Sequence, residues 1–281
     1  VATMQSFVKL DTEDYIDYFD IVLLDEAHHL QSMKSKNKDG KQTNTTYVEI
    51  LSHLLAPIRI GWTATTRSTD EAVLINEGLL GPLIKKVTIQ EAADLGILAT
   101  PKLKLIKAKC SQNILDLRKY QDVYSYGIVN NQLRNKQVAE IVEEFYNQGK
   151  TTLIFVVHLE HGDLIKQEIK KLIGIKVPFI QGNMPQKERT VIKTKLISKK
   201  IKVCLATVSW SEGVDVPSLD VVITAGGGKS EIQTLQRLGR GLRKTDKKDE
   251  VIIVDFLDLS HMHLIRQTGE RLATYSEHNF L

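Results

Sequence analysis

Two adjacent carboxylates, Asp25 and Glu26, open the tetrapeptide Asp25-Glu26-Ala27-His28 directly after the apolar run Ile21-Val22-Leu23-Leu24. A strand ending in paired acids places them at the carboxyl edge of a sheet, where open α/β folds bind ligands. One such carboxylate can hold a magnesium ion while the other orients and activates a water, the division of labour that nucleotide hydrolysis needs. Taken alone, the tetrapeptide reads equally as an acidic turn capping the helix that follows.

A second strand, residues 57–60, runs into Gly61-Trp62-Thr63-Ala64-Thr65, and a third, residues 201–206, runs into Thr207 and the segment 208–217. Further on, Gln236-Arg237-Leu238-Gly239-Arg240-Gly241-Leu242-Arg243 sets three arginines at three-residue steps. Ser230 and Gln233 have capping-box spacing, so a helix is expected to begin there and to carry Arg237, Arg240 and Arg243 on one side. Guanidinium groups so close repel unless an anion or carboxylates face them, which is how phosphate-binding arginines are deployed. The plainer reading is a solvated basic face.

These segments need a scaffold, and the sequence supplies one. Short β-branched runs at residues 20–24, 57–60, 151–157, 201–206, 219–224 and 251–256 are nearly continuously apolar, as strands covered on both faces are. Between them Val138, Ile141, Val142 and Phe145 recur at helical spacing before Gly149. Leu164, Ile165, Ile169, Leu172 and Ile173 do the same before Gly174, so both helices are expected to end on a left-handed glycine. The lysine-rich stretch 34–46 reads as an exposed loop, and Gly96, Thr100 and Pro101 interrupt the pattern where a domain boundary is expected.

Composition narrows the classes. A chain of 281 residues favours two domains, and with 42% hydrophobic and 26% charged residues it has no apolar run of the roughly 20 residues that span a bilayer. The 38 basic and 34 acidic residues nearly cancel, permitting a nucleic-acid partner without requiring one. Cys110 and Cys204 are too few and too far apart in sequence for a disulfide framework, so a reducing compartment, cytoplasmic or nuclear, is expected.

Taken in order, the motifs resemble those of the superfamily 2 helicases. Asp25-Glu26-Ala27-His28 matches that family's motif II and Thr63-Ala64-Thr65 its motif III. Residues 207–217 are similar to motif V, and residues 236–243 fit the motif VI pattern Gln-x-x-Gly-Arg-x-x-Arg. More weakly, residues 153–157 ending near His158 resemble motif IV, and Gln181-Gly182 resembles the short segment after it; a buried strand and a turn would read the same. The Gly-Arg-Gly-Leu-Arg form of motif VI looks most like the branch of XPB, phage UvsW and the restriction-endonuclease motors.

The resemblance implies an α/β fold of two RecA-like parallel-sheet domains, the first incomplete. Residues 1–99 would be the C-terminal part of the first, with motifs II and III, and residues 100–281 the second, with motifs IV, V and VI. It implies an ATP-dependent DNA helicase or translocase motor core using ATP and Mg2+. An RNA helicase, or a nucleic-acid-binding module without ATP turnover, are the alternatives. By the same resemblance Asp25 would hold the metal and Glu26 would be the catalytic base. Arg240 and Arg243 would act as arginine fingers across an interdomain cleft, with Gln236 nearby, a device worth roughly 10³ to 10⁵ in rate. Gly213 and Asp215 would lie at the nucleotide, His28, Thr63 and Thr65 would couple it to the nucleic acid, and Thr207 would sit at the nucleic-acid backbone. His29, Trp62 and Trp210 are expected to be packing residues.

One phosphate-binding pattern fails. Gly226-Gly227-Gly228-Lys229-Ser230 looks like the end of a Walker A loop, but Ile223 stands where the first glycine must be. The glycines are therefore expected to form a turn leading to motif VI. No other segment supplies the loop, and too few residues precede Asp25 to hold one in the family's order. The chain is expected to begin mid-protein and, alone, not to turn over ATP.

Overall fold

The computed structural model describes the chain apart from residues 11, 31–34, 37–41, 44–45, 64–69, 86, 88, 208–215, 217, 229–248, 278–279 and 281. It divides into two compact units, Val1–Lys86 and Val87–Leu281. Among the described residues no helix is long and apolar enough to cross a membrane.

In the first unit the helix α1 (Met4–Phe7) precedes the strand β1 (Ile21–Asp25) and a two-stranded antiparallel pair, β2 (Ser35–Lys36) and β3 (Gln42–Thr43). The stretch expected to be a plain loop thus contains short paired strands. The helix α2 (Thr46–His53), the strand β4 (Ile58–Trp62) and the helix α3 (Asp70–Leu80) follow. β1 and β4 pair in parallel, with Leu24 opposite Gly61 and Asp25 opposite Trp62. Strand periodicity sends Leu24 inward, where it packs with Leu30, Val48, Leu51 and Ile75. Ile21, Leu23, Ile58 and Ile60 share the other face, between 45% and 59% exposed.

Arg59 lies on the core side of β4 and fastens the helices to it. Its guanidinium donates to the carbonyls of Leu51 at 3.1 Å, Ala56 at 3.2 Å and Leu79 at 3.4 Å, and to that of Leu54. These include carbonyls at the C-terminal ends of α2 and α3, which have no partners within their own helices and favour a cation.

The second unit begins with α4 (Ile89–Asp94) and β5 (Thr100–Lys107). α5 (Tyr120–Tyr124) continues through a π turn, Ser125–Val129, to α6 (Gln132–Asn147). Then come β6 (Thr152–Val156), α7 (Leu159–Ile173), β7 (Phe179–Ile180), α8 (Gln186–Ile197), β8 (Val203–Thr207), β9 (Val221–Thr224), β10 (Glu250–Leu257) and α9 (Met262–Glu277). The six strands form one parallel sheet in the order β5-β10-β9-β6-β8-β7.

Alternation along the strands builds two cores. Ile154 and Val156 pack with Val138, Val142 and Phe145 of α6 and Ile165 and Ile169 of α7. Leu153 and Phe155 pack on the opposite face with Leu196 of α8 and Tyr275 of α9. Helices on both faces of a parallel sheet make the α/β fold expected from the sequence. Gly149 and Gly174 take positive φ values of 76° and 71° just beyond α6 and α7.

The division between units falls earlier than the expected boundary at residues 96–101. Ala99 is fully buried in the core of the second sheet with Leu98 packed against it, and Pro101 lies inside β5, opposite Val251. Proline is tolerated there because β5 is an edge strand and need not donate along its outer side.

Candidate functional site

In the first unit three candidates converge at one sheet edge. Asp25 is the last residue of β1, Trp62 opposite it is the last of β4, and Thr63 is the next residue on. Asp25 is exposed, and its Oδ1 accepts the N–H of Glu26 at 2.9 Å, which fixes the orientation of the carboxylate. Glu26 adopts a left-handed backbone, φ 53° and ψ 48°, and begins the 3-10 turn Ala27–His29. Non-glycine residues rarely take this conformation, and where they do the surroundings impose it. Here the chain reverses at Glu26 so that Ala27 and Leu30 return to the core while Asp25 stays exposed.

The two strands approach closely enough to require glycine at residue 61. A Cβ there would stand 2.5 Å from Leu80 Cδ1 and 3.0 Å from the Cβ of Ala27. Asn76 of α3 adds a tie by donating to the carbonyl of Leu30 at 2.9 Å. Segment 25–30 and the end of β4 are therefore one packed assembly. Of the other candidates in this unit, Thr65 and the side chain of His28 lie outside the described residues. His29 stacks on Tyr47 at 5.2 Å, as a packing residue would, whereas Trp62 is 48% exposed.

In the second unit Thr207 ends β8 beside Val156 and is buried. Gly213, Asp215, Gln236, Arg240 and Arg243, together with Trp210, lie outside the described residues. The described chain leading toward the last three is residues 225–228, and it is held by side chains. Arg134 of α6 donates to the carbonyl of Ala225, Tyr124 Oη to that of Gly226 at 2.6 Å, and Arg271 of α9 to that of Gly227 at 2.6 Å.

Both arginines are fully buried, so each needs an anion. Arg134 Nε donates to Asp258 at 2.8 Å and Arg271 Nε to Asp255 at 2.8 Å, while Arg271 Nη2 lies 3.6 Å from Asp258. Asp255 also accepts from Thr224 Oγ1 at 2.8 Å, from the N–H of Phe256 at 2.8 Å and from Tyr275 Oη at 3.1 Å. The Arg134 guanidinium sits over the ring of Phe256, 4.5 Å from its centroid. Sequence reasoning missed this four-charge network. Its one sequence signal is two aspartates, Asp255 and Asp258, in and just beyond an apolar strand.

His161, in the first turn of α7, joins the same region. Its Nε2 meets Asn135 Oδ1 at 3.0 Å, and Asn135 Nδ2 donates to the carbonyl of Val129. Burial first, then the positive charge of Arg134 and the neighbouring His158, hold its pKa well below the ordinary 6.5. The ring is neutral at neutral pH.

His158 itself is exposed, precedes α7 without a side-chain cap, and sets its ring 5.4 Å from that of Tyr124. Gln181 follows β7, and Arg189 donates to the next carbonyl, that of Gly182, at 2.6 Å. Cys204 is buried in the sheet, where burial pushes its thiol pKa up, and Cys110 is partly exposed.

Two family models match the chain. The helicase conserved C-terminal domain covers residues 134–245, and the res subunit of type III restriction enzymes covers residues 1–68. IRC3 of Saccharomyces cerevisiae is 24% identical over 94% of this chain and 38% of its own length. The ATP-dependent DNA helicase uvsW of Enterobacteria phage T4 is 25% identical over 100% of this chain and 57% of its own. The DNA 3'-5' translocase XPB2 of Sulfurisphaera tokodaii is 26% identical over 87% of this chain and 60% of its own. The chain thus spans from over a third to three fifths of these relatives. The crystal structure of T4 UvsW superposes with a TM-score of 0.53 at 21% identity over 98% of this chain and 55% of that one, a likeness of fold.

Proposed function

We infer that this chain, a superfamily 2 helicase of the branch that holds the restriction-enzyme motors, XPB and UvsW, is the motor core of an ATP-dependent DNA helicase or translocase. The observation that carries the reading is the packed pairing of Asp25 with Trp62 at the ends of β1 and β4, which sets the acidic pair beside Thr63.

The oxygen ligand of Asp25 suits a hard cation such as Mg2+, which favours carboxylate and water oxygens. Bound there with ATP, the metal would neutralise charge on the phosphate oxygens. Asp25 holds it, with its carboxylate already oriented by the N–H of Glu26. Glu26 accepts the proton of the attacking water. Arg240 and Arg243 stabilise the charge that develops on the transferring phosphoryl group, and Gln236, Gly213 and Asp215 bind the nucleotide. Thr63, Thr65 and His28 link nucleotide state to the nucleic-acid contacts, and Thr207 contacts the nucleic-acid backbone. Two compact units are the expected partition of this work, residues 1–99 carrying the acids and residues 100–281 the arginines.

DNA is the favoured partner because relatives named for DNA activity align over nearly the whole chain, whereas the RNA helicase dbp8 of Schizosaccharomyces pombe aligns over 54% of it. Binding led by phosphate contacts falls steeply with salt and reads little sequence. These 281 residues contain no Walker A loop, so by themselves they are expected to bind nucleic acid without turning over ATP.

The test is DNA-stimulated ATP hydrolysis by a polypeptide that supplies such a loop ahead of residue 1, compared with the same polypeptide carrying Glu26→Gln and with RNA in place of DNA. Stimulation by DNA that Glu26→Gln abolishes supports the motor reading. Stimulation by RNA alone replaces DNA as the partner, and ATP turnover that survives Glu26→Gln removes Glu26 as the base.

A further inference from the structure

The second unit holds a cavity of about 680 Å³ beyond the C-terminal ends of β6 and β9, lined among others by Tyr120, Tyr124, His158, Glu160, Gly228 and Gln267. Its size falls within the roughly 300–1,000 Å³ of small-molecule sites. The wall is aromatic. Tyr120 and Tyr124 have ring centroids 5.8 Å apart, Tyr124 and His158 5.4 Å, and His263 lies edge-on to Tyr120 at 5.9 Å.

One polar group in this wall is unsatisfied. Gln267 is only 8% exposed, its Nε2 donates to Tyr120 Oη at 2.8 Å, and its Oε1 has no hydrogen-bond partner. A buried amide oxygen without a donor is costly, so a ligand that brings an N–H to it gains at the protein's existing expense. The ligand must also be flat, to lie among rings. Nucleobases meet both conditions, and each of the four DNA bases carries at least one edge N–H, so an acceptor-only contact takes any of them. Arg118 and Lys119, both exposed, directly precede Tyr120 and supply cations for the attached phosphates. Glu160, on another part of the wall, disfavours the phosphates there.

We propose that this cavity receives an unstacked base of single-stranded DNA, its ring against Tyr120 and Tyr124 and an edge N–H donating to Gln267 Oε1. The assignment rests on the nucleic-acid reading above and adds to it a base-binding position. Stacking on aromatic side chains tolerates every sequence, as a motor that reads little sequence requires.

The experiment measures binding of the 281-residue chain to labelled oligothymidine and to an abasic oligomer of the same length by fluorescence anisotropy, with thermal melting as the check on folding. Tyr120 is 40% exposed, so its replacement opens no core. Oligothymidine should bind about tenfold more tightly than the abasic strand. Tyr120→Ala should remove that difference while leaving the abasic affinity unchanged, and Tyr120→Phe should keep most of it. Equal affinity for the two strands, or an equal loss on both with Tyr120→Ala, overturns the base site while nucleic-acid binding stands. Failure to bind either strand overturns the nucleic-acid reading and the base site with it. Thymidine monophosphate displacing oligothymidine at concentrations near the oligomer's own Kd makes the cavity a free-nucleotide site and refutes the strand assignment.

Discussion

Removing Arg134 tests whether the buried charges under residues 225–228 act as a balanced set. Arg134→Leu deletes the two hydrogen bonds to Asp258, at 2.8 and 3.3 Å, and the one to the Ala225 carbonyl. Asp258 is then left 2% exposed with its nearest cation, Arg271 Nη2, at 3.6 Å. An orphaned buried charge costs about 3–5 kcal/mol, and this site belongs near the top of that range. Arg271→Leu should cost less, about 3 kcal/mol. Asp255 keeps three donors in its absence, from Thr224, the Phe256 amide and Tyr275. Neutralising the orphan should recover stability, so Arg134→Leu with Asp258→Asn should be more stable than Arg134→Leu alone. Urea unfolding followed by far-ultraviolet circular dichroism ranks the three variants. The two compact units need not unfold together, so the second unit's transition is the one compared. A loss under about 1 kcal/mol for Arg134→Leu, or a double variant weaker than the single, refutes the charge-balance reasoning.

Three further outcomes follow from local geometry. Gly61→Ala should destabilise the first unit by about 1–3 kcal/mol, because the new methyl overlaps Leu80 and Ala27, and an unchanged unfolding midpoint would show that α3 gives way freely. The lowered pKa of His161 means that below pH 6.5 the unfolded chain takes up a proton that the folded chain refuses. Stability should therefore fall on acidification from pH 6.5 toward the folded pKa, by up to about 1.4 kcal/mol per pH unit, and His161→Gln should flatten that slope; parallel slopes would remove His161 as the cause. A thiol reagent should modify Cys110 in the native chain and reach Cys204 only on unfolding, as counted by mass spectrometry, with native labelling of Cys204 contradicting its burial.

The legible part of the fold is the part written in local periodicity. Apolar runs read as strands became β1, β4, β6, β8, β9 and β10 with ends shifted by only a few residues, since central strands are apolar on both faces. β5 escaped because an edge strand alternates, as Pro101, Leu103 and Leu105 do with Lys102 and Lys104, and because Pro101 read as an interruption. Asp25 was legible because its neighbours in sequence are its neighbours in the strand. The left-handed backbone of Glu26 was not, since residue type does not announce it. The Arg134–Asp258 pair joins residues 124 positions apart, and no spacing rule reaches that far.

The contrast between two kinds of arginine bears on the proposed chemistry. Arg134 and Arg271 are spent on structure: each faces a carboxylate, and the remaining donors grip carbonyls of the chain between β9 and residue 229. A guanidinium so neutralised has little field left for a ligand. The arginines proposed for phosphate have a different sequence setting. At helical spacing Arg240 has Gln236, Arg237, Arg243 and Lys244 for neighbours, with no acid among them. Such a cluster carries uncompensated charge along the segment, the condition under which binding a polyphosphate relieves repulsion as well as adding attraction. A rigid, charge-balanced root and an unbalanced cationic segment beyond it are complementary requirements. The first fixes where the segment starts, and the second gives the anion its binding energy.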